Sequence, residues 1–211
     1  MSGLFSFLSP NQLILFQFGA SGAVPVFLYH RWWTVISAAW LHAGLLHIGF
    51  NMMWVRQLGP ATANVYGAGR MVIIYFVSGV AGFMLSSVAG LLLSDMPIFF
   101  LRGASFTVGA SAPIFGLLGA VVYYGRQSGS SMVRREAWGY VLPLFLFGFL
   151  MPGVDNFAHA GGFAGGYLAG AVLNPLKPEK LDHVIIAGVC LLLVVISIFV
   201  SILHGIRFLP G

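Results

Sequence analysis

Four polar residues in an otherwise apolar chain have the types and spacing that acyl transfer needs. Ser111 lies in TVGASAPIFGLLGA and His159 in NFAHAGGFAGGYLAG, each near the start of a predicted helix. A serine hydroxyl becomes a nucleophile when a base takes its proton, and histidine titrates in the useful range. His47 and Asn51 are four residues apart, so on a helix they share one face. Their N–H groups, with the Ser111 amide at a helix N-terminus, could hold a developing oxyanion.

The composition indicates that a membrane surrounds these residues. Of the 211 residues, 59% are hydrophobic and only 7% are charged, and the mean hydropathy is +0.94. Soluble domains carry about 25% charged residues, so this chain lies outside that class. We therefore expect an integral membrane protein, and the net charge of +5 bears on loop placement rather than on nucleic acid.

Six apolar runs approach the roughly 20 residues that a bilayer-spanning helix needs. They lie near 35–55, 71–93, 107–125, 137–152, 157–174 and 183–203. The sequence predicts an all-α bundle of about six transmembrane helices. Because consecutive spans alternate in direction, Ser111 and His159 are expected at the same side and at similar depth.

Two strips of small residues could bring the serine and histidine helices together. Gly162, Gly166 and Gly170 repeat every four residues after His159, and Ala112, Gly116 and Ala120 form a similar strip after Ser111. Small residues at this spacing let helix backbones approach closely. The two side chains would then lie within hydrogen-bonding reach.

Each candidate also has a structural explanation. A serine in a membrane helix commonly bonds to a carbonyl one turn earlier, and His47 with Asn51 could join two helices by hydrogen bonds. A lone histidine at a helix start is often a satisfied polar group. Asp155 could orient His159 as a third catalytic member, although a loop carboxylate at the interface is the favoured interpretation. The combination of four residues at compatible depth favours a site.

Other hydrolytic chemistries fit the sequence less well. A metalloprotease would need a motif such as His-Glu-x-x-His, and no glutamate lies near a predicted intramembrane histidine. The three aspartates fall in predicted loops, and both lysines fall on the side opposite Ser111. The single cysteine, Cys190, allows neither a disulfide nor a cysteine-based metal site. No metal or organic cofactor is predicted.

The basic residues predict the orientation. Seven of the ten follow the first, third and fifth runs: Arg56, Arg70, Arg126, Arg134, Arg135, Lys177 and Lys180. The other three, Arg31, Arg102 and Arg207, fall on the opposite side. The positive-inside rule makes the richer set cytoplasmic, which puts the site on the extracytoplasmic side, and we expect the plasma membrane.

The N-terminal segment does not match a spanning helix. Residues 11–29 are apolar but are interrupted by Gly19, Gly22 and Pro25, so we expect a loop lying in the interface. An outside N-terminus then implies either that 11–29 spans after all or that an upstream helix is missing from this chain. We favour the second alternative.

These residues resemble the rhomboid family of intramembrane serine proteases. The resemblance runs from about Trp32 to Gly170 and rests on order and spacing. It includes Trp32–Trp33, His47-x-x-x-Asn51, Gly109-x-Ser111 and His159 with its four-spaced glycines. It implies Ser111 as nucleophile, His159 as general base, His47 and Asn51 around the oxyanion, and supporting roles for Gly109, Phe115, Gly162 and Gly166. Phe115 stands where the family usually has a tyrosine that packs on the histidine, and Thr34 stands where an arginine often follows the tryptophans.

The resemblance divides the chain into an N-terminal segment and interfacial loop (1–34), a rhomboid-like catalytic membrane domain (35–174), and a linker with an additional C-terminal transmembrane helix (175–211). We expect hydrolysis of peptide bonds in or beside transmembrane segments of other membrane proteins. The alternative is a non-catalytic rhomboid-like protein that binds or escorts membrane clients. Covalent labelling of Ser111 would distinguish the two.

Overall fold

Helices dominate residues 9–206, the part of the chain that the computed structural model describes. Arg207 and residues 1–8, which entered the predictions above, lie outside this part. The helices are α1 Gln12–Phe18, α2 Thr34–Ser37, α3 Leu45–Tyr66, α4 Ala68–Leu92, α5 Ser111–Gln127, α6 Ser131–Leu150, α7 Asn156–Val172 and α8 Leu181–Ile206. A π-helical turn at Val24–Leu28 and two 3₁₀ turns, Ala38–Trp40 and Phe99–Leu101, complete them.

Six of these helices, α3 to α8, have between 17 and 26 residues. The prediction of an all-α bundle with about six long helices is therefore confirmed. By length and apolar composition alone, α4 and α8 can each cross a membrane, and residues 34–40 with α3 add a third span if the bent pair counts as one.

The run at 35–55, predicted as one spanning helix, is broken in the structure. Residues 34–40 form a separate short segment, and α3 starts only at Leu45, after a bend of 94°. Leu41 leaves the 3₁₀ turn in an extended conformation, and Gly44, also extended, precedes α3. Glycine is among the residues least suited to a helix interior, which favours the break. Because α3 runs on to Tyr66, Arg56 lies inside this helix and not in the loop predicted for it.

The centre of the bundle is the contact between α4, α5 and α7, which small residues make possible. A Cβ atom at Gly162 would overlap the carbonyl of Ala112, and one at Gly166 would overlap the carbonyl of Gly116. Gly82 on α4 lies equally close to α5 and α7. The two predicted strips of small residues therefore pack against each other, and backbones approach where side chains would keep them apart.

At the end of the bundle far from Ser111, charged side chains form hydrogen bonds with the C-terminal end of α7 and the N-terminal end of α4. The Arg70 side chain is buried and donates to the carbonyls of Leu173 and Asn174, at 2.8 and 2.9 Å, where α7 ends. The Glu179 carboxylate accepts the Arg70 backbone N–H at 2.8 Å, in the first turn of α4. A cation at a helix C-terminus and an anion at an N-terminus both stabilise the helix dipole.

The N-terminal segment is not a plain loop, because it contains α1 and the π-helical turn Val24–Leu28. Two backbone hydrogen bonds of 3.0 and 2.8 Å join Ser21 to Thr107, in the connection that leads to Ser111. The guanidinium of Arg31, only 2% exposed, donates to the carbonyls of Phe16 and Gln17. Thr34 donates in turn to the carbonyl of Arg31 at 2.8 Å. The arginine before the tryptophan pair thus anchors the N-terminal segment, a role that was not predicted from the sequence.

Candidate active site

The segment before Ser111 has a conformation that requires glycine. Gly109 has φ +130°, a region that side chains disfavour. A Cβ atom there would also lie 2.7 Å from Cε1 of His47. The Gly109 N–H donates to the carbonyl of Ala38 at 3.0 Å. This bond ties the loop to the segment before α3, and Ser111 then opens α5 as its first residue.

Ser111 and His159 meet where α5 and α7 begin. The Ser111 Oγ and the His159 Nε2 are 2.9 Å apart, a normal hydrogen-bond distance. Ser111 is partly exposed, whereas His159 is 6% exposed. In a neutral imidazole that accepts the serine proton at Nε2, the ring proton sits on Nδ1.

The plane of the histidine ring is held by Phe115. This phenylalanine lies one turn after Ser111 and is buried. Its ring stacks on His159, with centroids 4.1 Å apart and planes inclined by 17°. Stacking leaves the imidazole edge pointing at the serine while limiting rotation of the ring.

His47 and Asn51 face the same place from α3. A Cβ atom at Gly109 would lie 2.8 Å from Nε2 of His47 and 3.6 Å from Nδ2 of Asn51. Both nitrogens therefore lie close to the backbone two residues before Ser111. Asn51 is 3% exposed, and its Nδ2 has no hydrogen-bond partner among the described residues. A buried donor of this kind suits a charge that forms only during reaction.

The bend before α3 sets the tautomer of His47. The backbone N–H of Ala43 donates to Nδ1 of His47 at 3.3 Å. An amide N–H can only donate, so Nδ1 is the acceptor and the neutral ring carries its proton on Nε2. That N–H is the one that lies beside Gly109. The Ala43 amide was not predicted to take part, because residues 35–55 were expected to form one continuous helix.

Comparison with known proteins identifies the family. The model of the rhomboid domain matches residues 29–178, more than two thirds of the chain. The chain belongs to the rhomboid family. Rhomboid sequences include intramembrane proteases and rhomboid-like proteins, and with its apolar helices this member is an integral membrane protein.

Three rhomboid relatives of this chain include a protease, a rhomboid-like protein and a protein described as inactive. Rhomboid protease GluP of Bacillus subtilis (strain 168) is 29% identical over 200 residues, which cover 93% of this chain and 37% of that protein. RHOMBOID-like protein 1 of Arabidopsis thaliana is 32% identical over 176 residues, covering 82% and 42%. Inactive RHOMBOID-like protein 8 of Arabidopsis thaliana is 29% identical over 160 residues, covering 74% and 42%. The chain thus spans about two fifths of the length of these relatives.

Asp155 holds the start of the helix that carries His159. One carboxylate oxygen accepts the N–H of Ala158 at 2.9 Å, and the other accepts a short hydrogen bond from Ser86 on α4. No hydrogen bond joins Asp155 to the His159 ring in the described part of this rhomboid chain. Asp155 therefore caps α7 and fixes it to α4, and it does not contact the His159 ring as a triad member would.

The structure brings together the predicted site residues of this rhomboid protein. Ser111, His159, His47 and Asn51 lie at one end of the bundle, with Gly109 and Phe115 in contact with them. Gly162 and Gly166 follow His159 along α7 and form the contact with α5. The catalytic roles of these residues stay predictions.

Proposed function

We propose that this chain is an intramembrane serine endopeptidase. The observation that carries the proposal is the 2.9 Å contact between the Ser111 Oγ and the His159 Nε2, at helix starts that also face His47 and Asn51. Ser111 attacks a peptide carbonyl while His159 takes its proton. His159 then gives the proton to the leaving amine, and a water molecule hydrolyses the acyl-enzyme by the same route in reverse.

The oxyanion of each tetrahedral intermediate would be held by three donors. They are the Nε2–H of His47, the Nδ2–H of Asn51 and the backbone N–H of Ser111. Donors that are in place before the charge forms need no reorganisation during the reaction, which makes them effective. Neither step needs a metal or organic cofactor.

The substrates in this proposal are transmembrane segments of other membrane proteins. An intact helix hides its carbonyls in hydrogen bonds, so such a segment must unwind locally before Ser111 can attack it. Six of the basic residues predicted to be cytoplasmic lie at the ends of helices or in connections far from Ser111. The positive-inside rule therefore supports a site that opens on the extracytoplasmic side, and we propose the plasma membrane as its location.

A non-catalytic role in binding membrane clients is the second candidate, because one relative of similar identity is described as inactive. Labelling with a fluorophosphonate separates the two candidates, since the probe bonds covalently only to an activated serine. We expect labelling of the wild type, loss of labelling in Ser111→Ala, and strong reduction in His159→Ala. Ser105→Ala is the matched control, because Ser105 ends the same Gly-Ala-Ser triplet in an exposed loop. Undiminished labelling of Ser111→Ala would contradict the catalytic assignment.

A further inference from the structure

Helix α8 carries a buried polar contact that an ordinary membrane anchor does not need. Most of its large apolar residues are exposed, as for a helix that faces lipid, but Ser197 and Ser201 are 3% and 0% exposed. In its first half Ala187 and Cys190 pack against Ile73 of α4. Its last turns lie against the N-terminal segment.

Ser201 joins a directed chain of hydrogen bonds. The Ser37 Oγ donates to the carbonyl of Gly19 at 3.0 Å. A hydroxyl has one proton to donate, so in its 3.1 Å contact with Ser201 the Ser37 Oγ is the acceptor. Ser201 on α8 therefore donates to Ser37, at the end of α2.

The residue that follows Ser37 is hydrogen-bonded to the loop before the nucleophile. The next carbonyl, that of Ala38, accepts the N–H of Gly109 at 3.0 Å. Gly109, whose φ angle is positive, lies two residues before Ser111, where the chain turns into α5. The position of Ser37 thus constrains the conformation from which Ser111 projects.

Further contacts hold the same end of α8 in place. Gly205 lies so close to the N-terminal segment that a Cβ atom on it would be 2.6 Å from the carbonyl oxygen of Gln17. The rings of His204 and Trp33 have centroids 4.9 Å apart. These contacts set the height and rotation of α8, and so the direction in which Ser201 points.

We propose that α8 positions the nucleophile, through Ser201, Ser37 and the carbonyl of Ala38, and is therefore part of the catalytic unit. Ser201 touches neither substrate nor the reacting atoms, so it is a positioning residue. The proposal rests on the proposed protease function for its effect on rate, and on the structure alone for its effect on the loop.

The test compares two buried serines of the same helix. Ser201→Ala removes the donor to Ser37, whereas Ser197→Ala removes a hydroxyl that donates within α8, to the Val194 carbonyl at 2.8 Å. One hydrogen bond contributes about 1 kcal/mol, so we expect Ser201→Ala to lower kcat and the rate of fluorophosphonate labelling about fivefold. KM should not change. In Ser197→Ala, kcat and the rate of fluorophosphonate labelling should stay within about twofold of the wild-type values.

A double-mutant cycle tests the route. If Ser201 acts through Ser37, Ser37→Ala combined with Ser201→Ala should be no slower than Ser37→Ala alone. If the rate losses of the two single variants multiply in the double variant, Ser201 acts by another route, and the proposal would be overturned. Ser37→Ala also tests the link from the loop side if Ser201→Ala fails to fold.

Amide hydrogen exchange of the segment 106–112, which contains Gly109, gives a readout independent of activity. We expect faster exchange in Ser201→Ala than in Ser197→Ala. A wild type that neither cleaves nor labels would contradict the proposed function, yet the exchange comparison would still test the positioning role. Equal exchange in the two variants would overturn that role.

Discussion

The tautomer of His47 leads to a prediction that distinguishes the roles of its two ring nitrogens. Ala43 donates to Nδ1, so the proton available to an oxyanion is on Nε2, beside Gly109. Counted in bonds from Cα, the amide nitrogen of glutamine corresponds to Nε2 of histidine, and that of asparagine corresponds to Nδ1. His47→Gln therefore keeps a donor where the oxyanion forms, whereas His47→Asn and His47→Ala do not.

The size of each effect follows from the number of donors. Loss of one of three oxyanion donors is expected to lower kcat by about 10²–10³. Glutamine keeps the donor on a more flexible side chain, and ordering it costs on the order of 1 kcal/mol, or roughly five- to tenfold in rate. We therefore expect His47→Gln to exceed His47→Asn in kcat by at least about tenfold. KM should change little, because the donor acts on charge that is present in the transition state and not in bound substrate.

The assay is cleavage of one transmembrane substrate by the wild type and the three His47 variants, at equal amounts of folded protein. Nitrogen chemical shifts of ¹⁵N-labelled histidine in the wild type would report the tautomer directly, with a protonated Nε2 and an unprotonated Nδ1 expected for His47. An asparagine variant as active as the glutamine variant, or a His47 ring protonated on Nδ1, would contradict a role for the His47 Nε2–H in holding the oxyanion.

Two further predictions concern packing. Gly166→Val would drive side-chain atoms into the Gly116 carbonyl, so it should lower the free energy of unfolding by about 1–3 kcal/mol or more. Valine at the exposed Ala164 is the control and should have little effect on the free energy of unfolding. Thermal unfolding in detergent measures both variants, and equal shifts would contradict the close packing of α5 and α7. Phe115→Leu removes the ring stacked on His159 and should lower kcat about two- to tenfold without changing KM; unchanged kcat would show that stacking does not orient the base.

The site could be predicted from sequence because a few simple rules apply in a membrane. Alternating spans place the starts of the serine and histidine helices on one side. The spaced small residues Gly162 and Gly166 identified the face of α7 that meets α5. Polar residues are costly in lipid, so the few present stand out in an apolar sequence.

The features that escaped prediction depend on local breaks and long-range contacts. The apolar run around residue 41 continues through a bend, and hydropathy does not distinguish a bent segment from a straight helix. The consequence was a misplaced α3 and no role for the Ala43 amide. Arg31 and Ser201 each bond to groups distant in sequence, Gln17 and Ser37, and no periodicity in the chain encodes such pairs.

In the proposed mechanism Ser111 and His159 act together to cut peptide bonds. The most direct measurement is cleavage, in reconstituted membranes, of a transmembrane substrate whose helix is weakened by helix-breaking residues. Wild type, Ser111→Ala, His159→Ala and the control Ser105→Ala are compared side by side. We predict site-specific cleavage by the wild type and Ser105→Ala and none by the other two. Cleavage that survives in Ser111→Ala, or its absence from well-folded wild type, would contradict this role of Ser111 and His159.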